Sequence, residues 1–196
     1  MRRVGVLALL LLAGCTLSYT FSFAPVEYPR TDRIPLKVDL RLSDEVCAAK
    51  YDRKPESFSV GEALCQNSEE VTRAVFTEVR VTRGSTSVPS VPYDATLTPR
   101  VLLIDRNEPM WATSEQTTTV SLEWTLAATQ SGQTIWVNSF TGEGKGPKAP
   151  GMSRQEGARA QVAALLKDLF GKIHSALVSS PEIREFGLRR QGLRSR

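Results

Sequence analysis

The sequence predicts an α+β domain: a mostly antiparallel sheet with two helices packed on one face, in the order β-α-β-β-β-α. Three observations carry this expectation. Val120, Leu122, Trp124 and Leu126 alternate with Thr119, Ser121, Glu123 and Thr125, the period of two that marks a half-buried strand. Val162, Leu165, Leu166, Leu169, Phe170, Ile173 and Leu177 follow helical spacing along one stripe. Between residues 60 and 79, Val60, Leu64, Val71, Ala74, Val75 and Val79 fall near one face of a second helix.

The elements follow in order. Residues 15–33 mix Ser, Thr, Pro and aromatic residues without a clear period and read as a tether. Pro35 opens a strand in which Leu36, Val38, Leu40 and Leu42 alternate with Lys37, Asp39 and Arg41. Residues 43–57 are polar and hold Cys47. In the helix over 60–79, Asn67 with Glu70 three residues on is able to cap a fresh turn, so a break is expected there. Gly84 to Pro92 reads as a loop, and Tyr93 to Asp105 as a strand containing Leu97, Val101 and Leu102.

The alternating strand around Trp124 runs into Ser131-Gly132, a tight turn, and Thr134 to Thr141 returns as the second arm of a hairpin. Its register is open. A two-residue loop places Ile135 and Val137 beside Trp124, whereas a three-residue loop places Trp136 and Phe140 there, because a one-residue slip exchanges the faces. Gly142 to Gly151 reads as a Gly/Lys/Pro loop, and the final helix covers about Arg154 to Val178. Pro181 punctuates it and a basic tail closes the chain. The expected organisation is a leader over 1–14, a tether over 15–33, one domain over 34–180 and a tail over 181–196.

The N-terminus carries the sharpest motif. Arg2 and Arg3 precede an apolar run from Val4 to Leu12. That run is too short for a bilayer core of about 30 Å, which takes roughly 20 apolar residues as a helix. It has the length and flanks of an export signal instead. It ends Leu12-Ala13-Gly14-Cys15, which resembles the lipobox of bacterial lipoproteins. The resemblance implies cleavage before Cys15, with diacylglycerol and an N-acyl chain such as palmitate attached to it and no other cofactor. Two or more chains suffice for stable anchoring where one does not. Thr16 stands where an aspartate would resemble an inner-membrane retention signal, so the implied location is the outer membrane, facing the periplasm.

Removing residues 1–14 takes the 196 residues to 182, enough for one domain with a core. Arg2 and Arg3 leave with the leader, so the 25 basic residues become 23 against 21 acidic, a balance that gives no reason to expect nucleic acid. With Cys15 lipidated, Cys47 and Cys65 remain as an even pair. An oxidising compartment favours a disulfide, contributing about 3 kcal/mol, over two buried thiols.

No catalytic constellation is visible. The single histidine, His174, lies beside Phe170 and Ile173 at the edge of an apolar stripe and reads as a packed boundary residue. One histidine excludes a histidine metal cluster, and Cys47 with Cys65 lacks zinc spacing. Gly142, Gly144 and Gly146 suggest a phosphate cradle but lack Gly-Lys-Ser/Thr and a following helix start, which leaves a flexible loop. Glu69-Glu70 reads as a solvated helix face, and no Gly-x-Ser-x-Gly elbow occurs.

Two sets of residues point to contacts. Arg184, Arg189, Arg190, Arg194 and Arg196 make the tail basic, which suits either a solvated terminus or an anionic lipid or acidic envelope surface. Trp124 and Trp136 read as hairpin core, while Trp111, after Asn107-Glu108-Pro109, reads as a partner-binding candidate.

The order of elements resembles a family of small Gram-negative outer-membrane lipoproteins typified by YajG. The residues that carry it are the lipobox at 12–15, Ala74-Val75-Phe76, the hairpin ending Phe140-Thr141-Gly142-Glu143-Gly144, and Ser180-Pro181-Glu182-Ile183-Arg184-Glu185-Phe186. Cys47 and Cys65 are not part of the resemblance. The resemblance implies a small outer-membrane lipoprotein and no defined activity. With no catalytic constellation in the chain, the expectation is a non-enzymatic scaffold or adaptor that binds another envelope protein, with a carrier of a lipid-like or glycan ligand as the alternative and an envelope hydrolase third.

Overall fold

The computed structural model describes residues 17–21, 23–30, 32–53, 56–84, 93–107, 116–146 and 153–194. Its main sheet has the order β5-β2-β6-β7-β8, built from β2 (Ile34–Leu42), β5 (Phe76–Arg83), β6 (Ala95–Asn107), β7 (Gln116–Ala128) and β8 (Thr134–Gly146). The long strands β6, β7 and β8 are antiparallel, whereas β2 runs parallel to both of its neighbours. The helices are α1 (Asp44–Cys47), α2 (Gly61–Val75), α3 (Arg154–Ser179) and α4 (Pro181–Arg194). The α+β class expected from the sequence therefore holds.

Alternation places the core. Leu36, Val38, Leu40 and Leu42 of β2 and Val120, Leu122, Trp124 and Leu126 of β7 are all buried beneath the helices. The Trp124 indole meets Phe170 of α3 edge-on, with centroids 6.5 Å apart. The α3 stripe from Val162 to Leu177 is fully buried, as its spacing predicts. A capping box closes the start of α3: the Ser153 hydroxyl accepts from the Glu156 N–H, and the Glu156 carboxylate accepts from Ser153.

The structure differs from the sequence reading in five places. The helix over 60–79 stops at Val75 and the chain continues as β5, because Val79 and Val81 also fit a period of two and β2 supplies a parallel partner. No break occurs at Asn67. Its side chain instead donates to the Ala63 carbonyl one turn back and accepts from the Val26 N–H. The polar stretch 43–57 holds α1 with β3 (Lys50–Arg53) and β4 (Glu56–Ser59), which join β1 (Leu17–Thr20) in a second sheet of order β1-β4-β3. The glycines read as a loop lie in β8, which runs to Gly146. The basic segment after Pro181 is helical, and its Ile183 is fully buried.

The hairpin register resolves to the second alternative. Trp136 pairs with Leu126 and Phe140 with Leu122, so both lie on the face of Trp124, while Val137 is 55% exposed on the other face. The turn includes Gly132 at φ 68°; beside it Ala127 pairs with Thr134, and the register shift between that pair and Leu126–Trp136, rather than the length of the loop, brings Trp136 and Phe140 to the Trp124 face.

Candidate functional site

A disulfide, two surface grooves and one buried network are assembled by this fold. Cys47 and Cys65 form a disulfide that ties α1 to α2 across Cα atoms 5.4 Å apart. It closes the base of the 43–60 insertion that carries the small sheet. Gly61 sits at the same base, where a Cβ would overlap the Cys47 carbonyl.

The N-terminal segment is a strap laid over the body. β1 pairs in parallel with β4, and Phe21 packs on Phe58 with centroids 6.1 Å apart. The Tyr28 ring stacks on His174 at 4.8 Å, and Arg30 pairs with Glu70 at 2.8 Å. Burial lowers the His174 pKa by disfavouring the cation, and burial raises the Tyr28 phenol. His174 is thus a packed residue covered by the strap. Beside it, Phe23, Val26, Arg159 and Ala163 line an open groove of about 420 Å³.

The second groove lies between α4 and the turn of the β7–β8 hairpin. It encloses about 530 Å³ and remains open to solvent. Ile135, Phe186 and Leu193 line it with apolar surface, and Glu182, Glu185, Arg189 and Arg190 supply charge. Arg190 stands over the Phe186 ring at 5.2 Å and donates to the Gln130 side-chain oxygen at 3.2 Å. Arg189 reaches Glu185 at 3.5 Å in full solvent, a pair worth little energetically. Of the residues singled out from the sequence, Arg189 and Arg190 come together here. The side chain of Arg194 lies outside the described residues, as do Cys15 and Trp111.

The buried network joins three layers. Arg106 donates to Glu56 of β4 at 2.6 Å and to Gln116 of β7 at 3.1 Å. Gln161 of α3 donates to Gln116, and its side-chain oxygen accepts from the Thr118 hydroxyl at 3.0 Å. A second buried charge, Asp39, lies on the outer sheet face. Burial pushes its pKa up, but hydrogen bonds from Arg80, Thr82 and Arg41 outweigh this and hold it below the usual carboxylate range.

Glycines explain the close seating of α3. A Cβ at Gly142 would collide with Leu169, and one at Gly144 with the Gln161 carbonyl. The Gly-x-Gly-x-Gly spacing is therefore the period of a strand pressed against a helix, neither a phosphate cradle nor a free loop. The alternation of glycines at period two was the signal available in the sequence.

Among the described residues, no group of three His, Cys, Asp or Glu side chains is placed to hold a metal ion. No helix there is long and apolar enough to cross a membrane. Fold and site define the class: a layered α+β domain with an N-terminal strap and an amphipathic groove at its far end. No protein-family model and no curated protein sequence matches the chain. Solved structures do. A Xanthomonas campestris protein of family model DUF330 superposes with a TM-score of 0.55 at 11% identity, covering 90% of this chain and 99% of that one. A Helicobacter pylori protein described as a candidate neuraminyllactose-binding hemagglutinin homolog gives 0.50 at 8% identity, over 87% and 97%. The Neisseria meningitidis lipoprotein GNA1162 gives 0.37 at 14% identity, over 74% and 96%. At these identities the first two share the fold.

Proposed function

We propose that this chain is an envelope lipoprotein, anchored through Cys15 in the outer membrane, that works as a scaffold or adaptor rather than as an enzyme. The carrying observation is the groove between α4 and the hairpin turn. It pairs an aromatic and aliphatic floor with both signs of charge, the make-up of a protein-binding patch. The lipobox and Thr16 supply the address, and the likeness to YajG-type lipoproteins agrees with it.

A carrier that holds a lipid-like or glycan ligand between sheet and helices needs a cavity there. The core side chains between sheet and helices are closely packed, and the grooves found are open ones. His174 under Tyr28 is likewise poorly placed as a general base.

The test is a photocrosslinking amino acid placed at Leu193, in the groove, or at Lys167, away from it, in the intact lipidated protein. A specific adduct at 193 that is lost with Phe186→Ala is the expected result. Equal adducts at both positions, or none at 193, would overturn the docking role. Separately, Cys15→Ser should abolish palmitate labelling and release the protein from the membrane fraction.

A further inference from the structure

The geometry points to a fixed upright stance on the lipid surface, with the anchor at one pole of the domain and the α4 groove held at the opposite pole. This rests on the Cys15 anchor proposed above and goes beyond it, since an anchor alone leaves orientation free.

The placement of Leu17 carries the argument. Leu17 pairs with Glu56 in the β1–β4 ladder, so it lies one strand spacing away from it. Glu56 is bonded to Arg106 near the end of β6, and Arg106 to Gln116 at the start of β7. Gln116 pairs with Gly146, the last residue of β8. Leu17 therefore belongs to the pole where β6 and β8 end and β7 begins. Leu17 is two steps along the chain from Cys15, with only Thr16 between them, and those steps span at most about 7 Å even when fully extended. The membrane must lie close to this pole.

The groove is at the other end of the same strands. β7 runs from Gln116 to Ala128, and at about 3.3 Å per residue that is roughly 40 Å. Ala128 and Ile135 flank the hairpin turn and line the groove, and Arg190 bonds to Gln130 within that turn. Headgroup electrostatics decay over about 8 Å at physiological ionic strength. Arg189 and Arg190 thus stand several decay lengths away and serve a partner in the aqueous space, not anionic lipid.

Lying flat offers little compensation. The outer sheet face presents charges already paired, Lys37 with Glu78 and Arg100 with Glu123. The helix face carries the pairs Glu69–Arg73 and Asp168–Lys172. Among the described residues these pairs alternate in sign, which gives anionic headgroups little to hold either face down.

The test uses the full lipidated protein in phosphatidylethanolamine/phosphatidylglycerol vesicles that contain a headgroup nitroxide quencher. A fluorescent amino acid replaces Arg53 or Lys145 at the near pole, or Gln130 at the far pole. Arg53 and Lys145 are 71% and 56% exposed, so either label serves if the other perturbs folding. The expected result is strong quenching at 53 and 145 with emission retained at 130. A spacer of about ten Gly/Ser residues before Leu17 adds roughly 17 Å of reach and should relieve the near-pole quenching. Quenching at 130 equal to that at 53, no quenching anywhere on floating vesicles, or a spacer without effect would overturn the stance and leave the anchor standing. Protein that fails to float with the vesicles would overturn the anchor and the stance together.

Discussion

A methyl group added at position 144 has nowhere to go, because the Gln161 carbonyl of α3 already occupies that space. Gly144→Ala must push the helix off the strand. It should cost about 1–3 kcal/mol or more, as overpacking does, and lower the Tm by several degrees. Gly171, within α3, meets nothing within 4 Å, so Gly171→Ala should instead stabilise by roughly 0.5–1 kcal/mol through helix propensity. Thermal unfolding of the two variants side by side decides this, and equal Tm values would defeat the close-packing account. His174 gives a second prediction at this scale. Burial depresses its pKa in the folded state, so below about pH 6.5 the unfolded chain binds the extra proton first. Its contribution is therefore intact above that pH and lost as the pH falls through it toward the folded value. Urea midpoints for wild type and His174→Gln should converge as the pH drops from about 7.5 to about 5; parallel curves would show that His174 is not the titrating group.

At the scale of elements, the disulfide is the clearest lever. Cys47 and Cys65 are 18 residues apart in sequence, a loop whose closure contributes about 3 kcal/mol in the chain-entropy account. Cys47→Ser with Cys65→Ser should lower the Tm by roughly 6–12 °C. A double variant that melts with the wild type, or a wild type whose Tm ignores reductant, would contradict this. The pairing also shows how far the sequence was legible. Two cysteines were countable, but their Cα separation depends on how the β3–β4 hairpin returns the chain from α1 to α2, which no local pattern records. β7 and α3 were legible because each buries a single face, so one period dominates. β5 was not, since its valines satisfy both helical and strand spacing until β2 is present to pair with them. α4 was hidden by its arginines. Ile183 is fully buried and Gly187 lies against Ile34 and Leu36 of β2, contacts its sequence does not announce, and the groove it forms belongs to no single segment.

The whole molecule depends on how the small sheet is mounted on the large one, because β1, which would follow the anchor proposed at Cys15, is part of it. Arg106 and Glu56 make that joint at 2.6 Å, almost fully buried, with the guanidinium 5.7 Å from the Phe58 ring. A buried ion pair of this kind adds little net stability against an apolar pair of similar volume, but breaking it strands a charge. Arg106→Met alone should therefore cost about 3–5 kcal/mol, and adding Glu56→Leu should restore much of the loss. The cost should also be local in its dynamics. Hydrogen exchange in Arg106→Met should accelerate in β1 and β4, whose ladder rests on Glu56, before it does in the Trp124 region of β7. Exchange that rises uniformly, or a double variant no more stable than the single one, would mean that the pair is not the joint. In that case β1 would be held by Phe21 on Phe58 and the Tyr28–His174 stack, and Phe21→Ala would be the variant that frees it.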